Sequence, residues 1–460
     1  MNFGASSNSC LQKNKNEEVI CTAKKSIEAC MPVRHVKKRS QLAENILFIY
    51  FLSTFSYAHL PLAVVHHSLG SIFNYIFFLI SIVAIAAVLN KKNCVQAGQN
   101  FLFFSSSVLI FIAGAQAIFV LPHIREDGDI LVKSWGSIST TMLSYFGVFL
   151  AICLANHVNF TFRQLSAASL YSLIVLVSYL FIEILGVQFN IEPFSSIIQV
   201  VSKYFNYRDE VDSLGGRVRG FSNEPSYMAI VVIFLTSILL IDKTRKIKVN
   251  YLFVVLVIIL SAASLSKNLL GGLMVLLFVH ALYNKKLFPF IFILITLNTM
   301  YFMYAVSQVD GMQWQYEAYG YDISTITRVG SWVAAFDGFL SAPILGNGYG
   351  LAGGLLYKFY PEWFYMSPEA VEWESAASAF ATPVFSNFFR VAFESGLAGL
   401  FLTFGSIYLL IRASNKRSLI SHDNVVLVCA FLLCFGMVDI MSYWPFYVAL
   451  GIRRSSVEIR

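Results

Sequence analysis

Long apolar runs recur along the whole chain and decide what kind of fold it can adopt. Most of them are about 18 to 22 residues long, the length that a helix needs to cross a lipid bilayer. Hydrophobic residues make up 57% of the 460 residues and charged residues only 13%, so a soluble core could not hide the apolar side chains. The pattern predicts an all-α polytopic membrane protein. It excludes a cytosolic enzyme, a disulfide-rich secreted module, a disordered scaffold and a nucleic-acid binder.

Positive charges fall between alternate pairs of these runs and predict how the helices are oriented. We expect residues 1–43 to form a cytoplasmic, disordered tail and residues 44–460 a single transmembrane domain. If both termini are cytoplasmic, that side holds 23 of the 33 Lys and Arg residues but only 7 of the 26 Asp and Glu residues. This asymmetry follows the positive-inside rule and favours about twelve helices. Eleven helices, with the C-terminus outside, are the alternative.

Two long polar segments interrupt the apolar runs, at residues 186–223 and 307–382. They follow the fifth and the ninth run, so the alternation of sides places both outside the cytoplasm. Any chemistry is therefore expected on the extracytoplasmic face.

The first long loop ends in GGRVRGFSNEPSYMA and carries Arg217 and Arg219 just before a predicted helix. Glu224 and Pro225 fit the first turn of that helix, because proline is tolerated there and a carboxylate suits the helix dipole. A glycine turn with solvated arginines and a helix cap explains the segment as well as a binding site does. The functional alternative is a phosphate or diphosphate site, since arginine stays charged and binds oxyanions through two parallel hydrogen bonds.

The second long loop contains DISTITRVGSWVAAFDGFLSAPILGNGYG, whose first part is predicted to be a helix. At the helical period, Arg328, Trp332, Phe336 and Phe339 share one stripe, and Asp337 lies opposite. Such a helix can lie along the outer leaflet with Arg328 at headgroup depth. Packing of the stripe against the bundle is an equally good interpretation of the periodicity, although it leaves the arginine on the apolar side unexplained.

No metal or cofactor site is predicted. GYGLAG at residues 348–353 matches G-x-G-x-x-G but lacks the preceding strand of a dinucleotide site, so it is predicted to be a turn. The acidic residues Glu369, Glu372 and Glu374 are interpreted as solvated loop charges rather than cation ligands.

Charges inside the predicted helices are costly in lipid and therefore informative. Arg390 and Glu394 stand four residues apart, the spacing at which two side chains pair on one helix face. Glu183 and Asp439 have no obvious partner on their own helices.

Four motifs follow one another between roughly residues 215 and 411. RVRGFSNEPS opens one helix, SLSK starts another, TRVGSW and SAPILGNGYG stand in the large outer loop, and NFFRVAFESGLAGL begins the next helix. Their order and their placement between helices resemble the Wzy-type O-antigen polymerase and O-antigen ligase superfamily.

The resemblance implies a metal-independent integral-membrane glycosyltransferase with a GT-C-like helical fold, located in the bacterial cytoplasmic membrane. It implies that a glycan is taken from an undecaprenyl-diphosphate carrier on the outer face, with no nucleotide sugar or other cofactor. By motif position, Arg217, with Arg219 beside it, and Arg328 correspond to the loop arginines that engage the diphosphate or the glycan. The partners implied are lipid-linked glycans, membrane lipid, a flippase and a chain-length regulator.

The expected reaction suggests further candidates. Fixed cations stabilise the charge on a departing diphosphate, so Lys267 joins the arginines, and Trp332 is a second substrate-binding candidate. Glu224 is the nearest acidic candidate for a general base, with helix capping as its equal rival. Ligases of this superfamily are expected to carry a histidine in the large outer loop, and residues 307–382 contain none, which favours a polymerase of O-antigen, capsule or exopolysaccharide. A lipid-linked glycan transporter is the non-enzymatic alternative.

Overall fold

The computed structural model describes residues 33–56, 128–157, 160–205, 218–222, 225–242, 256–259, 267–283, 323–368, 370–371, 384–414, 421–437 and 444–452, with single residues at 109, 112, 116, 289 and 296. Every regular element in these parts of the chain is helical, and they contain no β-strand. The prediction of an all-α fold is confirmed for them.

The helices are, in chain order, α1 (Val33–Leu52), α2 (Gly128–His157), α3 (Phe162–Val187), α4 (Glu192–Phe205), α5 (Pro225–Ile241), α6 (Lys267–Tyr283), α7 (Ile323–Ser341), α8 (Ala352–Leu355), α9 (Asn387–Ser414), α10 (His422–Met437) and α11 (Trp444–Gly451). Short 3₁₀ turns cover Ser53–Phe55, Leu356–Phe359 and Glu362–Met366. α1 begins inside the segment that the sequence assigns to a polar tail. α4 lies within the first long loop, where no helix is predicted.

Three of the described helices contain stretches long and apolar enough to cross a membrane: Trp135–Ala155, Phe162–Val187 and Asn387–Ile411. The 26 residues of α3 rise about 39 Å, more than the hydrocarbon thickness of about 30 Å. Shorter apolar helices cover Glu44–Phe55, Tyr227–Ile241, Leu269–Tyr283 and His422–Gly436. This architecture is consistent with a helical membrane protein.

Local sequence explains where two of these helices begin. Thr161 and Gln164 form a capping box at the start of α3, in which each side chain bonds the backbone N–H of the other residue. α5 begins at Pro225, which suits the first helical position because the N–H that proline lacks would have no partner inside the helix.

α5 is the central helix of the main core. Every side chain from Met228 to Asp242 is buried, and α3, α6 and α10 pack around it. Because α5 is apolar on nearly all sides, other apolar helices can surround it, which suits its central position. The main core also includes buried residues of α1, α2, α9 and α11, together with Val218 and Phe221 at the end of the first long loop.

A second, smaller core lies in residues 323–371 and 384–395, which we call the second-loop unit. Its buried side chains come from α7, from residues 351–356 in and around α8, and from residues 384–393 at and just before the start of α9: Ala334, Ala335, Leu351, Ala352, Leu355, Leu356, Val384 and Phe393. The long second loop therefore has a packed interior of its own.

Candidate functional site

The first long loop ends in a buried turn built around a carboxylate of α3. Glu183 is 2% exposed, and its two carboxylate oxygens accept the backbone N–H groups of Arg219 at 3.1 Å and Gly220 at 2.7 Å. Gly220 has a φ of 61°, and a Cβ there would lie 3.0 Å from Leu176, so the turn requires glycine. Glu183, which has no partner on its own helix by sequence, finds one in this turn.

Arg219 is enclosed by the same turn. It is 1% exposed, and its Nη2 donates a hydrogen bond to the Ser202 hydroxyl of α4 at 3.2 Å. Nearby, Phe221 stacks on Tyr179 with ring centroids 4.2 Å apart and meets Phe205 edge-on at 4.9 Å. In this conformation the Arg219 guanidinium is closed off from solvent and fixes the turn to α4.

Arg328 lies in a different setting, on the face of α7 that packs against the start of α9. Its guanidinium carbon is 5.0 Å from the centre of the Phe385 ring, within the range of a cation–π contact. One turn later, Trp332 stacks on Phe389 with centroids 5.8 Å apart and planes inclined by 18°. Arg328 and Trp332 are both partly exposed. We call these four residues the arginine–aromatic cluster.

Beyond this cluster, α7 and α9 continue side by side in the same direction. Gly338 packs against the ring of Phe393, and Gly330 packs against the ring of Phe364 in the 3₁₀ turn Glu362–Met366. A Cβ at either glycine would overlap the ring. The two glycines therefore allow α7 to be held between α9 and the 3₁₀ turn.

The predicted stripe of α7 is divided between two environments. Arg328 and Trp332 pack against aromatic rings, which explains an arginine on the apolar side. Phe336, further along, is 47% exposed. Packing against the rest of the protein, one of the two interpretations of the stripe, accounts for its first half.

α9 is interrupted at Gly396, whose φ of 59° and ψ of −152° are not helical. Residues 343–348 fill the break and supply hydrogen-bond partners to both sides of it. The bonds are Asn347 N to Phe393 O (2.8 Å), Gly348 N to Glu394 O (3.1 Å), Leu397 N to Pro343 O (2.8 Å) and Ala398 N to Ile344 O (3.1 Å). A helix can break inside an apolar bundle only if its freed backbone groups are satisfied in this way.

The buried carboxylate of Glu394 makes two hydrogen bonds next to the helix break. Its Oε1 accepts hydrogen bonds from Arg390 Nε and from the backbone N–H of Ala352, each at 3.2 Å. The predicted pairing of Arg390 with Glu394 is therefore confirmed.

Gln116, from a distant part of the chain, makes further hydrogen bonds to the residues at the helix break. It is 3% exposed, and its Nε2 donates to the carbonyls of Glu394 at 2.8 Å and Leu345 at 2.9 Å. Its Oε1 accepts the backbone N–H of Tyr349 at 2.8 Å. Sequence reasoning missed this residue, because a single glutamine in an apolar run has no pattern around it.

The structure brings together only part of the predicted site. Arg328 and Trp332 lie in one cluster, whereas Arg219 contacts Glu183 and Ser202, which are not part of that cluster. Arg217 and Glu224 lie outside the described residues, and Lys267 is the first residue of α6 with its side chain outside them. Two further predictions, the loop charges Glu369, Glu372 and Glu374 and the unpaired Asp439, also fall outside the described residues.

GYGLAG begins with a turn, as predicted, since Gly348 and Gly350 have φ values of 130° and 78°. Within the described residues, no three His, Cys, Asp or Glu side chains are grouped closely enough to hold a metal ion.

The described residues form an all-helical fold, consistent with a helical membrane protein, with an arginine–aromatic cluster beside a broken helix. No protein-family model matches the chain, and no curated protein matches it either. The resemblance drawn from the motifs therefore stays a hypothesis.

Proposed function

We propose that the protein is a membrane glycosyltransferase of the Wzy polymerase type. It joins undecaprenyl-diphosphate-linked oligosaccharide repeat units into O-antigen, capsule or exopolysaccharide on the outer face of the bacterial cytoplasmic membrane. The observation that carries this proposal is the arginine–aromatic cluster, in which a partly exposed arginine has its guanidinium over an aromatic ring beside a stacked tryptophan.

The cluster suits both parts of such a substrate. Arg328 offers a permanent charge and planar donors that match phosphate oxygens. Aromatic faces pack against the C–H groups of sugar rings. A ligand with an anionic part and a sugar part therefore fits the cluster.

In the proposed reaction, a hydroxyl of the next lipid-linked repeat unit attacks the anomeric carbon of the growing chain. The new glycosidic bond forms as the bond to the diphosphate breaks, and undecaprenyl diphosphate leaves. Arg328 stabilises the charge that develops on the leaving group, so no metal ion is needed. We assign Glu224 as the general base that accepts the proton of the attacking hydroxyl. We assign Lys267 as a second cation that stabilises the leaving diphosphate.

The two described arginines have different proposed roles. Arg328 is partly exposed and contacts the substrate. Arg219 is enclosed between Glu183 and Ser202, so it positions the turn and thereby orients the neighbouring Arg217. Arg217 supplies the second substrate-contacting guanidinium.

The proposal includes about twelve membrane helices with both termini in the cytoplasm, so that both long loops open on the outer face. A flippase delivers the lipid-linked repeat units to that face, and a chain-length regulator limits the product. No cofactor and no nucleic acid takes part.

The direct test is elongation by purified protein in liposomes that contain undecaprenyl-diphosphate-linked repeat units and EDTA. We expect a ladder of longer lipid-linked glycans that is lost in Arg328→Ala and kept in the matched control Arg163→Ala. Arg163 is an exposed arginine in the first turn of α3.

Three other outcomes would contradict parts of the proposal. Transfer only to a lipid A core acceptor, with no ladder, would indicate a ligase. Movement of the glycan across the bilayer without elongation would indicate a transporter. A ladder that disappears in EDTA and returns with Mg²⁺ would refute the metal-independent mechanism.

A further inference from the structure

Gln116 stands at the junction of the two cores. Leu109, Ile112 and Gln116 are spaced by three and four residues, so they share one face of a helix. Leu109 and Ile112 are fully buried in the main core. Gln116, the next residue on that face, makes three hydrogen bonds to the backbone of the second-loop unit, two of them in and next to the turn at residues 343–348 and one at the helix break.

These three bonds use the whole amide group of the side chain. The NH₂ group bonds two carbonyls of the second-loop unit, Leu345 in the turn and Glu394 at the break, while the oxygen accepts the N–H of Tyr349. A residue that lacks either the donors or the acceptor loses hydrogen bonds to these backbone groups, and the carbonyl of Glu394 then keeps only its bond from the N–H of Gly348. The position therefore requires a side chain with both.

A second contact runs from the same turn to the main bundle. The Tyr349 hydroxyl donates a hydrogen bond to the Thr141 hydroxyl of α2 at 2.9 Å. This contact holds the second-loop unit only through the rotatable side chain of Tyr349, whereas Gln116 bonds the backbone directly. Among the described residues, Gln116 thus adds a direct side-chain contact from the main core to the backbone of the second-loop unit, beside the backbone bonds that residues 343–348 make to α9.

We propose that Gln116 is a positioning residue, which sets the second-loop unit, and with it Arg328, in a fixed place relative to the bundle that carries the Arg219 turn. The inference rests on the proposed function. Val218 and Phe221 on either side of that turn belong to the main core, whereas Arg328 belongs to α7. If the reaction needs groups from both loops, the junction at Gln116 determines whether they meet.

The test uses the full-length protein and compares Gln116→Leu, Gln116→Glu and the control Ser237→Ala. Ser237 is also buried and polar, but its hydroxyl bonds only within its own helix, to the carbonyl of Phe234. For Gln116→Leu we expect kcat for elongation to fall about 10- to 100-fold, because small misplacements of reacting groups are costly. KM for the lipid-linked donor should stay within about threefold, since Arg328 itself is unchanged.

Two readouts separate positioning from a general loss of structure. Amide hydrogen exchange should accelerate at residues 343–350 in Gln116→Leu while α3 and α5 keep their protection. Gln116→Glu should regain part of the activity reversibly as the pH is lowered, because a protonated carboxyl can donate one of the two hydrogen bonds and a carboxylate can donate neither. Wild-type protein and Ser237→Ala should lack this pH response.

A Gln116→Leu protein with wild-type kcat and unchanged exchange at residues 343–350 would overturn the inference. Exchange that rises equally across the whole protein would also overturn it, since Gln116 would then be a general stability residue. If wild-type protein elongates nothing, the proposed function fails. The local exchange would still decide whether Gln116 holds the turn.

Discussion

At the scale of single residues, Glu183 makes a contact whose loss should be expensive. Its carboxylate accepts two buried backbone N–H groups, so Glu183→Ala should destabilise the protein by about 2–4 kcal/mol. Glu183→Gln keeps one acceptor oxygen and should cost less. Thermal unfolding of purified variants measures the difference, with the exposed Glu192→Ala as the matched control. A melting temperature for Glu183→Ala equal to that of the control would contradict this role.

The ion pair of Arg390 and Glu394 is unequal, since the side chains are 36% and 6% exposed. Arg390→Ala leaves a buried carboxylate that keeps only the N–H of Ala352, and we expect a loss of about 3 kcal/mol and a lower protein level. Adding Glu394→Gln should restore part of that loss, because a neutral amide keeps the acceptor and removes the buried charge. Thermal unfolding and membrane protein level should be measured together. A double variant no more stable than Arg390→Ala would contradict this explanation.

At the scale of elements, the packing of α7 depends on glycines that leave no room for a methyl group. Gly330→Ala would overlap the ring of Phe364, so we expect overpacking to cost about 1–3 kcal/mol and to weaken elongation. Gly271 of α6 serves as the control, because a methyl group added there would meet nothing within 4 Å. Gly271→Ala should be neutral or stabilise by up to about 1 kcal/mol. Equal melting temperatures for the two variants would argue against close packing at α7.

The elements that the sequence predicts well are those whose signal is local. The apolar run 225–241 coincides with α5, Pro225–Ile241, because a helix buried on all sides is apolar throughout. α4 was missed because its segment reads as polar overall, although Ile197, Val200 and Tyr204 recur at helical spacing within it. Periodicity shows that residues share a face but does not say what covers it.

Contacts of the site are less predictable because they join distant positions. Gln116 and Glu394 are 278 residues apart, and Glu183 and Gly220 are 37 apart. No local pattern encodes such pairs, so the motifs could indicate Arg328 and Trp332 but not the side chains that fix their surroundings. The i to i+4 pair of Arg390 and Glu394 was predictable because it lies within one helix.

At the scale of the whole molecule, the proposal requires both long loops on one side of the membrane. Single cysteines introduced for accessibility labelling should be reached from the cytoplasm at three positions and from outside at three others. The inner positions are Lys91, Arg245 and Lys285, and the outer positions are Asp129, Asp209 and Glu362. Asp209 and Glu362 on opposite sides would separate the two loops and remove the basis for a shared site.

The central claim is that the two loops act on one diphosphate through Arg217 and Arg328. The measurement that tests it most directly is polymer length, together with protein level, in cells lacking the native gene and producing Arg217→Ala, Arg328→Ala or both. Each single variant should lose long polymer at a normal protein level, and Arg328→Lys should rescue poorly because an ammonium lacks the planar fork. The double variant should be little worse than either single variant, because groups that act as a unit are not additive. Normal polymer from either single variant would contradict the account.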